Sequence, residues 1–172
     1  MELSILAIDP GSERSAWVVY RDGMPTEFGL DDNNQVLEVI RYLPARQIAI
    51  EMIASYGMAV GATVFDTCVW IGRFAQHWYH HASEELHPVQ YVYRKDVKMH
   101  LCGQARAKDA NIRQALIDRY GGKDKAIGLR ASPGPCYKMK ADIWQALAVA
   151  VTASDLADSV PADYSRHLTT GE

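Results

Sequence analysis

Leu3-Ser-Ile-Leu-Ala-Ile-Asp9-Pro-Gly11-Ser12 is the stretch whose reading decides the fold. Ile5 and Ala7 fall on one side of an extended chain, Leu6 and Ile8 on the other. A short run that is apolar on both faces reads as a central strand of a sheet. Asp9 ends that run, and Gly11 follows in a Pro-Gly turn, where a missing side chain lets the backbone approach a ligand. An ordinary Asp-Pro-Gly turn would use the same residues. What separates the two readings is whether other carboxylates reach the same edge of the sheet.

Working outward, Ser15–Tyr20 and Pro25–Leu30 are strands around the tight turn Arg21-Asp-Gly23, so the chain opens with an antiparallel meander. Asp32–Leu43 carries Val36, Val39, Ile40 and Leu43 at helical spacing, with Asp32 or Asn33 to cap it and Pro44 to stop it. Gln47–Ile53 is another apolar strand, with Glu51 near its end. If it lies parallel and adjacent to the first strand, Asp9 and Glu51 emerge at one edge. Residues 56–82 are the longest helix-compatible segment. Val64, Phe65, Cys68, Trp70, Ile71, Phe74 and Trp78 cover more than one stripe of it, which calls for burial on two faces. His87–Tyr93 is the last strand, Arg94–Leu101 a short helix stopped near Gly103, and Ala107–Tyr120 a helix ended by Gly121-Gly122. Lys123–Tyr137 reads as a loop, and Lys138–Ser154 as a strong final helix. The class is α/β, a mixed five-stranded sheet flanked by helices. Residues 1–160 form one domain and 161–172 a polar, flexible tail.

Composition narrows the possibilities. A chain of 172 residues that is 48% hydrophobic supports one sizeable core. It contains no apolar run of about eighteen residues, so no transmembrane helix is expected. Met1-Glu2-Leu3-Ser4 lacks the basic start of a signal peptide. Cys68, Cys102 and Cys136 are few, scattered and odd in number, as for reduced thiols in a cytoplasmic setting. Net charge is -3, which gives no global signature for nucleic acid. Locally, Arg94, Lys95, Lys98, Arg106 and Lys108 stand against Asp96 alone between residues 94 and 108. Such a patch can hold a phosphate backbone or be a solvated helix face.

Asp142 and Gln145, three apart on one face near the start of the last helix, complete the candidate site. If Asp9, Glu51 and Asp142 converge, they need a compensating cation, and hard oxygen ligands favour Mg2+ or Mn2+. A pair of such ions about 3.5–4 Å apart drives phosphodiester hydrolysis.

At these residues the chain resembles the RuvC family of Holliday junction resolvases, in the ribonuclease H-like superfamily, and especially the shorter RuvC-like proteins of phages. The resemblance rests on Ala7-Ile-Asp9-Pro-Gly11-Ser12, on Ala49-Ile-Glu51-Met-Ile-Ala-Ser-Tyr-Gly57, on Val97-Lys98 with Ala107-Lys108, and on Trp144-Gln-Ala-Leu-Ala-Val-Ala150. It implies a ribonuclease H-like fold and a homodimer that cuts four-way DNA junctions symmetrically with Mg2+. It further implies Asp9, Glu51 and Asp142 as catalytic metal-binding carboxylates, and Lys98 and Lys108 as the lysines at the scissile phosphate. A cytoplasmic setting, that of a bacterial host if the chain is phage-encoded, goes with it. Gln145 departs from the pattern: it stands where the family has an aspartate, keeping one ligand oxygen and losing the charge. The family's inserted aromatic has Tyr56 as its nearest candidate. Ser12 and Arg14, just after the Asp9 turn, are candidate DNA contacts with Tyr56, Arg94, Lys95, Lys98, Arg106 and Lys108. The 56–82 helix is the candidate dimer contact.

Two other classes compete. Gln145 makes a junction-binding protein with weak or no nuclease activity reasonable. A sugar-kinase or actin-like ATPase also opens with a strand-end Asp and a Gly turn, but needs a second phosphate loop for which 172 residues leave no room. His77 and His81 have the i,i+4 spacing of a zinc-binding helix without the HExxH acid, and Trp144 reads as a packing residue.

Overall fold

The computed structural model describes residues 4–43, 45–55, 57, 59–81 and 88–159. β1 (Ser4–Asp9), β2 (Arg14–Arg21) and β3 (Met24–Asp32) form the antiparallel meander. Asp22 and Gly23 both take positive φ between β2 and β3, the conformation that lets a two-residue turn follow the twist of its strands. α1 (Asn33–Tyr42) follows, then β4 (Gln47–Met52), α2 (Ala62–His81) and β5 (Gln90–Tyr93). α3 (Arg94–Cys102), α4 (Asp109–Arg119), the single turn α5 (Lys123–Ala126), the small hairpin β6 (Gly128–Leu129) and β7 (Ser132–Pro133), and α6 (Ala141–Ser159) complete the chain.

The main sheet has the order β3-β2-β1-β4-β5. β1 pairs antiparallel with β2 and parallel with β4, and β4 pairs parallel with β5. The two-sided burial read from the sequence of β1 is what the structure has. Ile5 and Ala7 pack with Val18, Ala49 and Val92 under α6, whereas Leu6 and Ile8 pack with Ile48, Ile50 and Phe74 on the side of α1 and α2. The result is the mixed α/β architecture of a ribonuclease H-like fold, a five-stranded sheet covered on both faces.

Several boundaries move. α2 begins at Ala62 rather than near residue 56, and Gly57 and residues 59–61 are not helical. Gly57 takes a φ of 81°, a left-handed conformation that breaks a helix before its apolar periodicity can continue. One side of α2 packs on the core through Ile71, Phe74 and Trp78, while Phe65 and Val69 remain exposed. The helix buried on nearly every side is instead α6, where every residue from Ile143 to Ala153 is buried. Its alanines, Ala146, Ala148, Ala150 and Ala153, allow close approach to the strands beneath. The segment expected to be a loop, 123–137, contains α5 and the β6–β7 hairpin. They are folded together by the Cys136 and Gly134 backbone N–H groups, which donate to the carbonyls of Ala126 and Ile127. β5 starts at Gln90, and α6 starts at Ala141 rather than Lys138.

Cys68, Cys102 and Cys136 are free thiols. No described helix is long and apolar enough to cross a membrane. His87, Tyr56 and residues 160–172, which include the whole of the expected tail, lie outside the described residues.

Candidate active site

Three neighbouring parallel strands deliver the central groups. In the β1–β4 register Ile8 faces Ile50, so the next residues out, Asp9 and Glu51, leave the sheet side by side. β5 lies on the far side of β4, and Arg94 is the first helical residue after it. The convergence of Asp9 and Glu51 expected from strand ends is therefore a consequence of parallel pairing.

The turn after Asp9 is tied down by a small polar network. The Gly11 N–H donates to Ser15 Oγ at 3.1 Å, the Ser15 hydroxyl donates to Asn33 Oδ1 at 2.6 Å, and Asn33 Nδ2 donates to the Gly11 carbonyl at 3.0 Å. Asn33 and Ser15 are both buried, which makes these bonds stronger and their loss more costly. A Cβ on Gly11 would lie 2.3 Å from the Arg14 carbonyl oxygen, so only glycine fits. Asn33 was legible in the sequence merely as a helix cap; its role in holding the Asp9 turn depends on a contact 22 residues away.

The electrostatics are those of crowded acids. The Asp9 carboxyl is pushed up to about 8, by burial first and then by Glu51, with Asp142 and Asp109 adding to it and Arg94 opposing. Burial likewise raises Glu51, against the pull of Arg94 and, more weakly, Lys98. Arg94 Nη1 donates to Glu51 Oε2 at 3.2 Å and Nη2 to Asp109 Oδ1 at 2.5 Å. Asp109 opens α4 and was not singled out in the sequence, where an acid in a first helical turn reads as a partner of the helix dipole.

Asp142, exposed on the first turn of α6, and Gln145, buried one turn on, line a cavity of about 190 Å³ with Asp109, Ala110, Arg113, Ala141 and Trp144. The Gln145 Oε1 has no hydrogen-bond partner. Trp144 is a packing residue, its Nε1 donating to the Met139 carbonyl at 3.2 Å with Arg113 stacked over the ring. A second hollow, about 330 Å³, is lined by Arg94, Lys95, Lys98 and Ala105. Arg94 and Asp109, bonded to each other, thus join a basic hollow to an acidic cavity. Arg106 and Lys108 are exposed on the connection into α4. Arg14 is engaged by its own sheet, donating to the Leu30 carbonyl at 2.6 Å and lying 3.7 Å from Asp32. Ser12 sits in the turn itself, half-buried.

Among the described residues no three Asp, Glu, His or Cys side chains are gathered into a ready cage for a metal ion. This holds for the acids and for His77 and His81, whose rings lie 4.3 Å apart. The chemistry of the donor set nevertheless suits a hard cation. Asp9 is a half-buried acid crowded by like charges, and Gln145 presents a buried oxygen that nothing in the protein satisfies.

The sequence matches no protein-family model and no curated protein. Solved structures do match. A Thermus thermophilus RuvC structure superposes with a TM-score of 0.67 at 16% identity, covering 91% of this chain and 96% of the other. T. thermophilus RuvC in complex with Holliday junction substrate superposes with a TM-score of 0.59 at 17% identity, covering 90% and 94%. With near-complete mutual coverage in both superpositions, the chain has a RuvC-like fold.

Proposed function

We propose that this protein is a metal-dependent, structure-specific DNA endonuclease that resolves four-way junctions, or related branched DNA, by symmetric phosphodiester hydrolysis. The observation that carries this reading is the pair Asp9 and Glu51, half-buried side by side at adjoining strand ends beside a basic hollow, in a RuvC-like fold. Asp9, Glu51, Asp142 and the Gln145 Oε1 would hold Mg2+, with Mn2+ as its substitute. Bound there, the metal supplies activation of water and charge stabilisation at the leaving oxygen. The protein's own contribution is positioning. Lys98 and Lys108 hold the scissile phosphate, and Arg94, Lys95 and Arg106 carry the flanking backbone. Ser12, Arg14 and Tyr56 are further candidate contacts with DNA.

Two active sites are needed for paired cuts, so the working form is a homodimer. Its contact is the free side of α2, where Phe65 and Val69, one helical turn apart, are each 61% exposed. An isologous contact would place the two sites in symmetric relation.

A second reading has its own support. Gln145 brings no charge, and Arg94 already neutralises Glu51, an arrangement suited to binding junctions without cutting them. The deciding experiment is cleavage of a labelled synthetic four-way junction, with linear duplex as control, in Mg2+ and in Mn2+. Paired symmetric nicks that vanish in Asp9→Asn support the nuclease. Binding without cutting, with cleavage gained in Gln145→Asp, supports the second reading. No binding to branched DNA overturns both.

A further inference from the structure

The inference concerns Asp109 and rests on the metal-dependent reading above. An amide oxygen such as the Gln145 Oε1 can ligate a divalent ion but contributes no charge, and affinity for hard cations grows with the number of carboxylates around them. The structure places one more carboxylate beside Gln145 that neither strand ends nor the last helix supply. Asp109 lines the same cavity as Asp142 and Gln145. Through a single guanidinium it is also tied to Glu51: Arg94 reaches Glu51 with Nη1 and Asp109 with Nη2. Its charge is felt at Asp9 and Glu51 alike. The cavity that Asp109 shares with Asp142 also contains a side chain asking for a ligand, since Gln145 is only 7% exposed and its Oε1 is unpartnered.

We propose that Asp109 is a metal-facing carboxylate of this site, supplying from the start of α4 the charge that Gln145 does not supply from α6. Arg94 is then the internal cation that competes with the metal for the Glu51–Asp109 pair. The assignment differs from a helix-capping or purely structural role for Asp109 in one measurable respect. Asparagine keeps the side-chain oxygen that accepts from Arg94 and keeps the size of the residue, but removes the charge.

The test is calorimetric titration of the whole protein with Mn2+ in the absence of DNA, for the protein as it is, Asp109→Asn, Asp109→Asn with Gln145→Asp, and Asp9→Asn. Circular dichroism melts show that each variant is folded. The expected result is a weakening of about tenfold or more in Asp109→Asn, largely recovered when Gln145→Asp restores a carboxylate across the cavity. Mn2+ affinity unchanged in Asp109→Asn but lost in Asp9→Asn would overturn the role of Asp109 while leaving the metal centre standing. A loss in Asp109→Asn that Gln145→Asp fails to recover would overturn the compensation between the two positions. No Mn2+ binding by the unaltered protein would overturn this inference and the metal-dependent reading together.

Discussion

The guanidinium of Arg94 bridges Glu51 and Asp109, a strand-end acid and a helix-start acid 58 positions apart in the chain, at 3.2 and 2.5 Å. Glu51 is 14% and Arg94 27% exposed, so the pair is largely withdrawn from water. Within such an environment removal of one partner leaves the other charge buried and uncompensated.

Arg94→Gln is therefore expected to lower unfolding free energy by about 1–3 kcal/mol in EDTA at pH 7. Millimolar Mn2+ should recover more of the loss than it adds to the unaltered protein, because the metal no longer competes with a fixed cation. Urea midpoints measured with EDTA and with Mn2+ check this. Equal midpoints for both proteins in EDTA would show that the bridge contributes nothing.

Asp9 sets a pH dependence of definite sign. The folded protein keeps the Asp9 proton up to about pH 8, whereas the unfolded chain releases it near the ordinary value of 3.8. Between these limits the unfolded state gains by losing its proton first, so stability falls as pH rises, with a slope from this group of at most about 1.4 kcal/mol per pH unit. Asp9→Asn removes the slope. The stability difference between Asp9→Asn and the unaltered protein should widen from pH 5 to pH 8 in EDTA; a constant difference would contradict the burial of Asp9 beside Glu51.

Asp155 gives the opposite sign. Burial works to raise it, but the Arg119 hydrogen bonds, both 2.8 Å, and His100 at 2.7 Å outweigh burial and hold its carboxyl below the usual range. Its contribution is present above the unfolded value and disappears as pH falls through the lower folded value. Because Arg119 is 39% exposed, solvent screens the pair, and Asp155→Asn should cost only about 1 kcal/mol at pH 7. Chemical denaturation at pH 7 and at a series of pH values below 3.8 should find the full difference at pH 7 and a shrinking one as pH falls.

Asn33→Ala removes the acceptor for the buried Ser15 hydroxyl and the donor to the Gly11 carbonyl. A loss of about 2 kcal/mol is expected from these unsatisfied groups, with junction cleavage falling because the Asp9 turn loses its anchor. Urea denaturation and single-turnover cleavage check the two effects separately.

Phe65→Asp and Val69→Lys test the dimer contact. Both residues are exposed in the single chain, so monomer stability should change by less than about 0.5 kcal/mol. Sedimentation velocity should show a dimer for the unaltered protein and a monomer for the double variant. A dimer that survives both changes would place the contact elsewhere.

The sheet was legible because its information is local. Two-sided burial in Ile5–Ile8 and in Ile48–Ile50 reads directly from residue type, and the Asp22-Gly23 turn announces itself. Parallel pairing then placed Asp9 beside Glu51 without further information. The start of α2 was not legible because Met58-Ala-Val-Gly-Ala continues an apolar helical pattern that the positive φ of Gly57 interrupts, and nothing short of tertiary structure reveals which tendency prevails. Asp109 was missed for a different reason. Its partners, Arg94 and the Gln145 cavity, come from elements distant in sequence, and an acid at a helix start has an adequate local explanation.

The burial of α6 from Ile143 to Ala153 also limits how this site can change over generations. A helix sealed among β1, β2 and its neighbours cannot turn or slip by one residue to offer new side chains to the site without moving the whole core. Its first turn, with Asp142 and Gln145, is consequently the least adjustable wall of the site. The adjustable wall is the solvent-facing connection from α3 into α4, where substitutions at Arg106, Lys108 and Asp109 meet little packing resistance. A lineage that lost a charge on α6 would have its easiest route back along that connection.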